Sequence, residues 1–180
     1  MCDASQVGLL AVLFFNLVFS MNTNIFDDSY PVVQTKYGKV KGHSLTSRQN
    51  RTFYAFQGIP FAAPPTGLLR FKAPVPPIPW IVVRDATKDG PMCIQKNYLY
   101  SLDPPIEGEE DCLYINVYTP KVFLFILSAQ NENASLLPVM VYIHHSGFFA
   151  GTGNSDYIGP HYLMDKDVIF VSFNHRLAAF

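Results

Sequence analysis

The chain has 180 residues, of which 49% are hydrophobic and 14% aromatic, enough apolar material for a packed core and too much for a disordered polymer. Only 15% are charged and the net charge is −1, so there is no basic stripe to meet a phosphate backbone and nucleic-acid binding drops out as a class. The five histidines invite a metal reading, but His144 and His145 are adjacent and would point to opposite faces of a strand. No carboxylate or cysteine pattern completes such a site, so neither a metal nor a cofactor is expected.

Residues 1–20 contain an apolar run from Val7 to Phe19 interrupted only by Asn16. A bilayer span needs ~20 apolar residues, so this run fits the core of a secretory signal better. Val18 and Ser20 stand three and one positions before a cleavage point after residue 20, as small-residue processing requires, although the stretch carries Asp3 and no Lys or Arg. The expectation is a signal at 1–20, a secreted portion at 21–180, and no stable membrane span once the signal is removed. Removal of Cys2 with the signal leaves Cys93 and Cys112, an even count suited to one bridge in an oxidising lumen, with two free buried thiols as the alternative. Asn50-Arg51-Thr52 and Asn133-Ala134-Ser135 are candidate glycosylation sequons in polar surroundings.

From Pro31 to Ser44, two β-rich runs flank Tyr37-Gly38, which predicts a hairpin with Gly38 at positive φ. Thr52 to Phe61 reads as an aromatic strand ending near Gly58 and Pro60. Ala62 to Trp80 is rich in proline, which lacks the N–H that a helix or sheet ladder uses, so it reads as extended loop. Glu110 to Pro120 alternates Leu113, Ile115 and Val117 against Tyr114, Asn116 and Tyr118, a strand period. Val122 to Leu127 is an apolar run at the entrance to a polar stretch. It reads either as a continuing strand or as an unnatural insertion such as translated non-coding sequence, and exposed it would be prone to aggregate. Val139 to Ile143 reads as a strand buried on both faces, Gly153 to Lys166 as a short helix starting near Ser155 or Asp156, and Val168 to Asn174 as a second buried strand.

After the first of these strands comes HHSGF, in which His144, His145, Ser146 and Gly147 read as a sharp turn of small or polar groups. Such a strand-to-loop transition is where α/β-hydrolases carry backbone N–H donors for an oxyanion, in an HGGG-type loop.

Five segments, in order, carry a resemblance: AFQGIPFAAPPTGLLRFKAP, the DGPMCIQ around Cys93, EDCLYINVYTP, LPVMVYIHHSGFFAG and VIFVSFNHRL. Over most of residues 31–180 the chain resembles the N-terminal part of the type-B carboxylesterases, the carboxylesterase and cholinesterase family of α/β-hydrolases. The resemblance implies an α/β fold, here an incomplete α/β-hydrolase comprising the N-terminal β-hairpin and the first strands of the mixed central sheet. It implies a Cys93–Cys112 disulfide and an ion pair between Arg70 and Glu110. It also implies ester hydrolysis by a serine nucleophile, a histidine base and an acid, acting on a small-molecule carboxylic ester with no cofactor. The family's oxyanion loop falls on Ser146 and Gly147, with His145 and Ser146 where the family has glycines. His175 and Ala178 stand where the family usually has Tyr and Gly. No G-x-S-x-G occurs, so the triad is expected beyond Phe180 and the chain alone is expected to be inactive. The alternative is a portion of a non-catalytic, neuroligin-like adhesion relative. A cholinesterase is disfavoured because no Trp lies between Cys93 and Cys112 to bind a choline cation.

Overall fold

The computed structural model describes residues 30–98, 101–122, 136–145 and 147–178. The expected signal at 1–20, Phe123 to Leu127, Asn133 and Ser146 lie outside the described residues.

The chain begins with the hairpin of β1 (Val32–Gln34) and β2 (Lys39–Lys41), paired antiparallel. Gly38 has φ +149°, and a Cβ there would lie 2.4 Å from the Trp80 ring, so both backbone and space require glycine. β5 (Arg84–Asp85) adds in parallel to β2. The main sheet contains β3 (His43–Thr46), β4 (Thr52–Pro60), β8 (Tyr114–Thr119), β9 (Val139–Ile143) and β10 (Ile169–Phe173), in the order β3-β4-β8-β10-β9. All pairings in it are antiparallel except β10 with β9, which makes the sheet mixed. β6 (Gln95–Lys96) and β7 (Ile106–Glu107) pair separately, and beside them Cys93 is bonded to Cys112.

Register decides what each face carries. Phe170 lies opposite Tyr118, and Tyr118 opposite Ala55; on the other face Val171 lies opposite Val117 and Val141, and Val117 opposite Phe56. The first face is closed by Met164, with Ile158, Leu163 and Val168 packed around a cluster of Phe53, Ala55, Tyr118 and Phe170. Among the described residues the second is closed at its β4 end, where Val40, Ala86, Trp80 and Val33 pack on Phe56 and Ile59. The alternation expected in Glu110 to Pro120 is present, but the more buried set in β8 is Asn116 and Tyr118 rather than Ile115 and Val117.

Two expectations are corrected. Val139–Ile143 forms a strand but is not buried: Val139, Val141 and Ile143 are 57%, 58% and 69% exposed. β9 is the last strand of the sheet, and among the described residues nothing covers its second face or pairs with its outer edge. Gly153 to Lys166 is not an α-helix. It is a turn closed by Tyr157 and Ile158 N–H donating to Asn154 O, followed by a short 3-10 segment, Leu163–Asp165. Pro160 explains the break, since it brings no N–H and disfavours helical geometry at Gly159. β10 is half as buried as expected, with Phe170 and Ser172 inside and Ile169, Val171 and Phe173 only partly covered. β8 stops at Thr119 before Pro120, so Val122 does not continue that strand; it packs on the Val40, Phe56 and Ala86 cluster.

Candidate functional site

β9 delivers the chain into the loop of interest. The strand alternation carries on for two residues, so His144 turns inward, 4% exposed, and His145 turns out. His144 Nδ1–H donates to His145 O at 3.2 Å, which leaves Nε2 as the lone-pair nitrogen, buried and without a partner among the described residues. Its ring lies flat on that of His175, centroids 4.1 Å apart and 2° from parallel. Burial holds the His144 imidazole below its usual range; the bond to the His145 carbonyl opposes this, and the His175 and His145 rings add to it.

Beyond Ser146, which lies outside the described residues, Gly147 to Phe149 form a turn. Gly147 has φ +51°, where a side chain would be strained but open space surrounds the missing Cβ, so the backbone rather than crowding selects glycine. Phe148 is also left-handed, φ +70°, a conformation that costs a non-glycine residue ~1 kcal/mol or more. Its carbonyl accepts from Ala178 N–H at 2.7 Å. Ala178 itself has φ +53°, so the position where the family usually has glycine is one where alanine bears the same strain.

The exit of the loop is held by a polar network. Gly153 N–H and the Thr152 hydroxyl donate to Asn174 Oδ1 at 2.8 and 2.9 Å, and Asn174 Nδ2 donates to Pro91 O and Asn154 Oδ1. Ser172 Oγ donates to Gly153 O at 2.6 Å. Asp89 takes the Ser155 backbone N–H and hydroxyl, Gln57 Nε2 and Asn116 Nδ2 on its carboxylate. Gln95 bonds both backbone groups of Gly151. The sequence reading singled out none of Gln57, Asp89, Gln95, Asn116, Ser172 or Asn174 as site residues. The available signal was polar residues inside otherwise apolar strands, as in Asn116, Ser172 and Asn174, because a polar side chain is tolerated there only when hydrogen-bonded.

Arg70 Nη2 meets Glu110 Oε1 at 2.9 Å, with side chains 41% and 27% exposed, which keeps this pair toward the weak end for ion pairs. It lies against the Cys93–Cys112 disulfide. Asn50 is exposed at the turn between β3 and β4. Among the described residues no serine hydroxyl is hydrogen-bonded to an imidazole; that of Ser155 donates to Asp89. What the described part of the loop offers is a tight, left-handed backbone turn at Gly147 and Phe148.

A profile of the Carboxylesterase family matches residues 29–180. The chain belongs to this family. It is 54% identical over 173 residues to juvenile hormone esterase of Tribolium castaneum, covering 96% of this chain and 28% of that protein. It is 39% identical over 182 residues to a carboxylic ester hydrolase of Bombus ignitus, covering 99% of this chain and 30% of the relative. A crystal structure of juvenile hormone esterase from Manduca sexta, with OTFP covalently attached, superposes with a TM-score of 0.72 at 38% identity over 84% of this chain and 27% of the other. The chain therefore spans less than a third of the length of these family members. Its mixed sheet is part of an α/β-hydrolase fold.

Proposed function

We propose that this chain is the N-terminal, oxyanion-loop portion of a secreted carboxylic-ester hydrolase that works by a serine mechanism. In this reading Ser146 and Gly147 supply backbone N–H donors to the tetrahedral oxyanion, and the nucleophile, acid and base come from residues beyond Phe180. The observation that carries it is the left-handed turn at Gly147 and Phe148, anchored at Phe148 O, Gly151 and Gly153 although HGGG is altered to HHSG. Juvenile hormone is the ester to try first, because relatives at 54% and 38% identity are named for it. Residues 1–20 act as the signal, the Cys93–Cys112 bridge suits the oxidising route, and exposed Asn50, with Asn133, accepts glycan.

The 180-residue chain alone does not hydrolyse esters, because an unactivated serine is protonated and weakly nucleophilic at neutral pH. The test is fluorophosphonate labelling and p-nitrophenyl ester turnover by the purified chain, beside a longer polypeptide that carries a downstream G-x-S-x-G. Turnover by the longer protein only is expected. Stoichiometric labelling of Ser155 in the short chain, with turnover that the label abolishes, would defeat the reading, as would a longer polypeptide without the nucleophile.

A further inference from the structure

Gly151 packs against His144 and His145, at the end of β9. Gly151, at φ +139°, sits so close that a Cβ there would lie 2.4 Å from His145 O and 2.7 Å from His144 Nδ1. Its backbone belongs to no strand, yet both of its polar groups are paired by one side chain. Gly151 N–H donates to Gln95 Oε1 at 2.7 Å, and Gln95 Nε2 donates to Gly151 O at 3.1 Å. The second Nε2 proton goes to Cys93 O, also at 3.1 Å. Gln95 is buried and lies on β6, paired with Glu107 of β7 and two residues from the disulfide. The side-chain amide thus does what a neighbouring strand would do, and does it where the loop closes. Reversing that amide would set donor against donor and acceptor against acceptor, so only glutamine in this orientation satisfies all three contacts.

We propose that Gln95 is a positioning residue for the 147–151 backbone, clamping Gly151 and so tying the loop to the disulfide-bonded segment at Cys93. Its importance for catalysis rests on the reading of this loop as an oxyanion loop; the clamp itself does not. Asparagine is one methylene short, methionine fills the space without bonding, and glutamate keeps an acceptor for Gly151 N–H but turns a second oxygen on the Gly151 and Cys93 carbonyls. Burial and those two carbonyls favour the neutral acid in a Gln95→Glu variant, which then donates to one of them. Acidification is therefore expected to restore part of what the variant loses.

The experiment is hydrogen–deuterium exchange on the oxidised full chain, comparing Gln95→Met and Gln95→Glu with the unmodified protein at the same pH. Gln95→Met is expected to lower protection of the Gly151 amide by about tenfold, the exchange equivalent of one lost buried hydrogen bond, while Val117 and Val171 in the β8–β10 pair keep theirs. Gln95→Glu is expected to show the same loss above neutrality and to close part of the gap in mild acid. Unchanged protection at Gly151 in the methionine variant would overturn the proposal. So would a loss shared equally by Val117 and Val171, or a glutamate variant whose gap does not move with pH. Because exchange at Gly151 is read rather than ester turnover, this test can fail while the hydrolase reading stands, and the reverse.

Discussion

β9 presents Val139, Val141 and Ile143 on one face, 57%, 58% and 69% exposed, beside a strand edge without a partner among the described residues. Complete burial of a Val or Ile side chain stabilises by ~1.5–3 kcal/mol, so the part still exposed corresponds to ~1–2 kcal/mol for each of the three. A symmetric pair of chains would count this twice, ~6–12 kcal/mol, against an association cost of ~4–15 kcal/mol. Backbone bonds along the free edge add ~1 kcal/mol each, which brings self-association into reach at micromolar concentration. The oxidised chain is therefore expected to sediment as oligomers over about 1–100 µM, and Val141→Lys with Ile143→Lys to shift it toward monomer. Lysine keeps its charge in water and repels its copy across the contact. A monomer throughout that range, with a sharp and reversible melting transition, would refute the reasoning. Equal association by the lysine variant would place the contact elsewhere.

Intact mass before and after reduction should differ by the two hydrogen atoms taken up when one Cys93–Cys112 bridge becomes two thiols. Replacing both cysteines by serine should lower stability by ~3 kcal/mol, since the bridge closes a loop of 19 residues; a loss too small to measure would contradict the loop-closure account. Asn174→Leu strips partners from the buried Gly153 N–H, Thr152 hydroxyl and Pro91 carbonyl, and should cost ~3 kcal/mol in urea unfolding. A cost under about 1 kcal/mol would mean that water or neighbours replace these bonds. His144 is held below its unfolded value, so between that value of about 6.5 and its lower folded one the unfolded chain binds more protons. Its contribution is therefore present above about pH 6.5 and is lost as pH falls through the folded value. NMR titration of the His144 ring should give a midpoint below that of an unfolded-chain histidine, and a midpoint at or above it would reverse the sign.

Much of the local structure was legible in the amino-acid order. The β1–β2 hairpin around Gly38, the aromatic strand ending at Pro60 and the strand in Glu110 to Pro120 follow from turn residues and period-two alternation, which depend only on near neighbours. The five family segments placed the chain in its family, as the match over residues 29–180 shows. Local pattern failed where a competing constraint came from elsewhere. Pro160 ended the helix expected from Gly153 onward. An apolar run cannot say whether its strand lies inside a sheet or at its edge, and β9 is at the edge. Only the folded chain could bring Gln95 to Gly151, 56 residues away, or Asp89 to Ser155, 66 residues away. Such contacts are between single side chains and distant backbone, so they leave no periodic trace in the sequence.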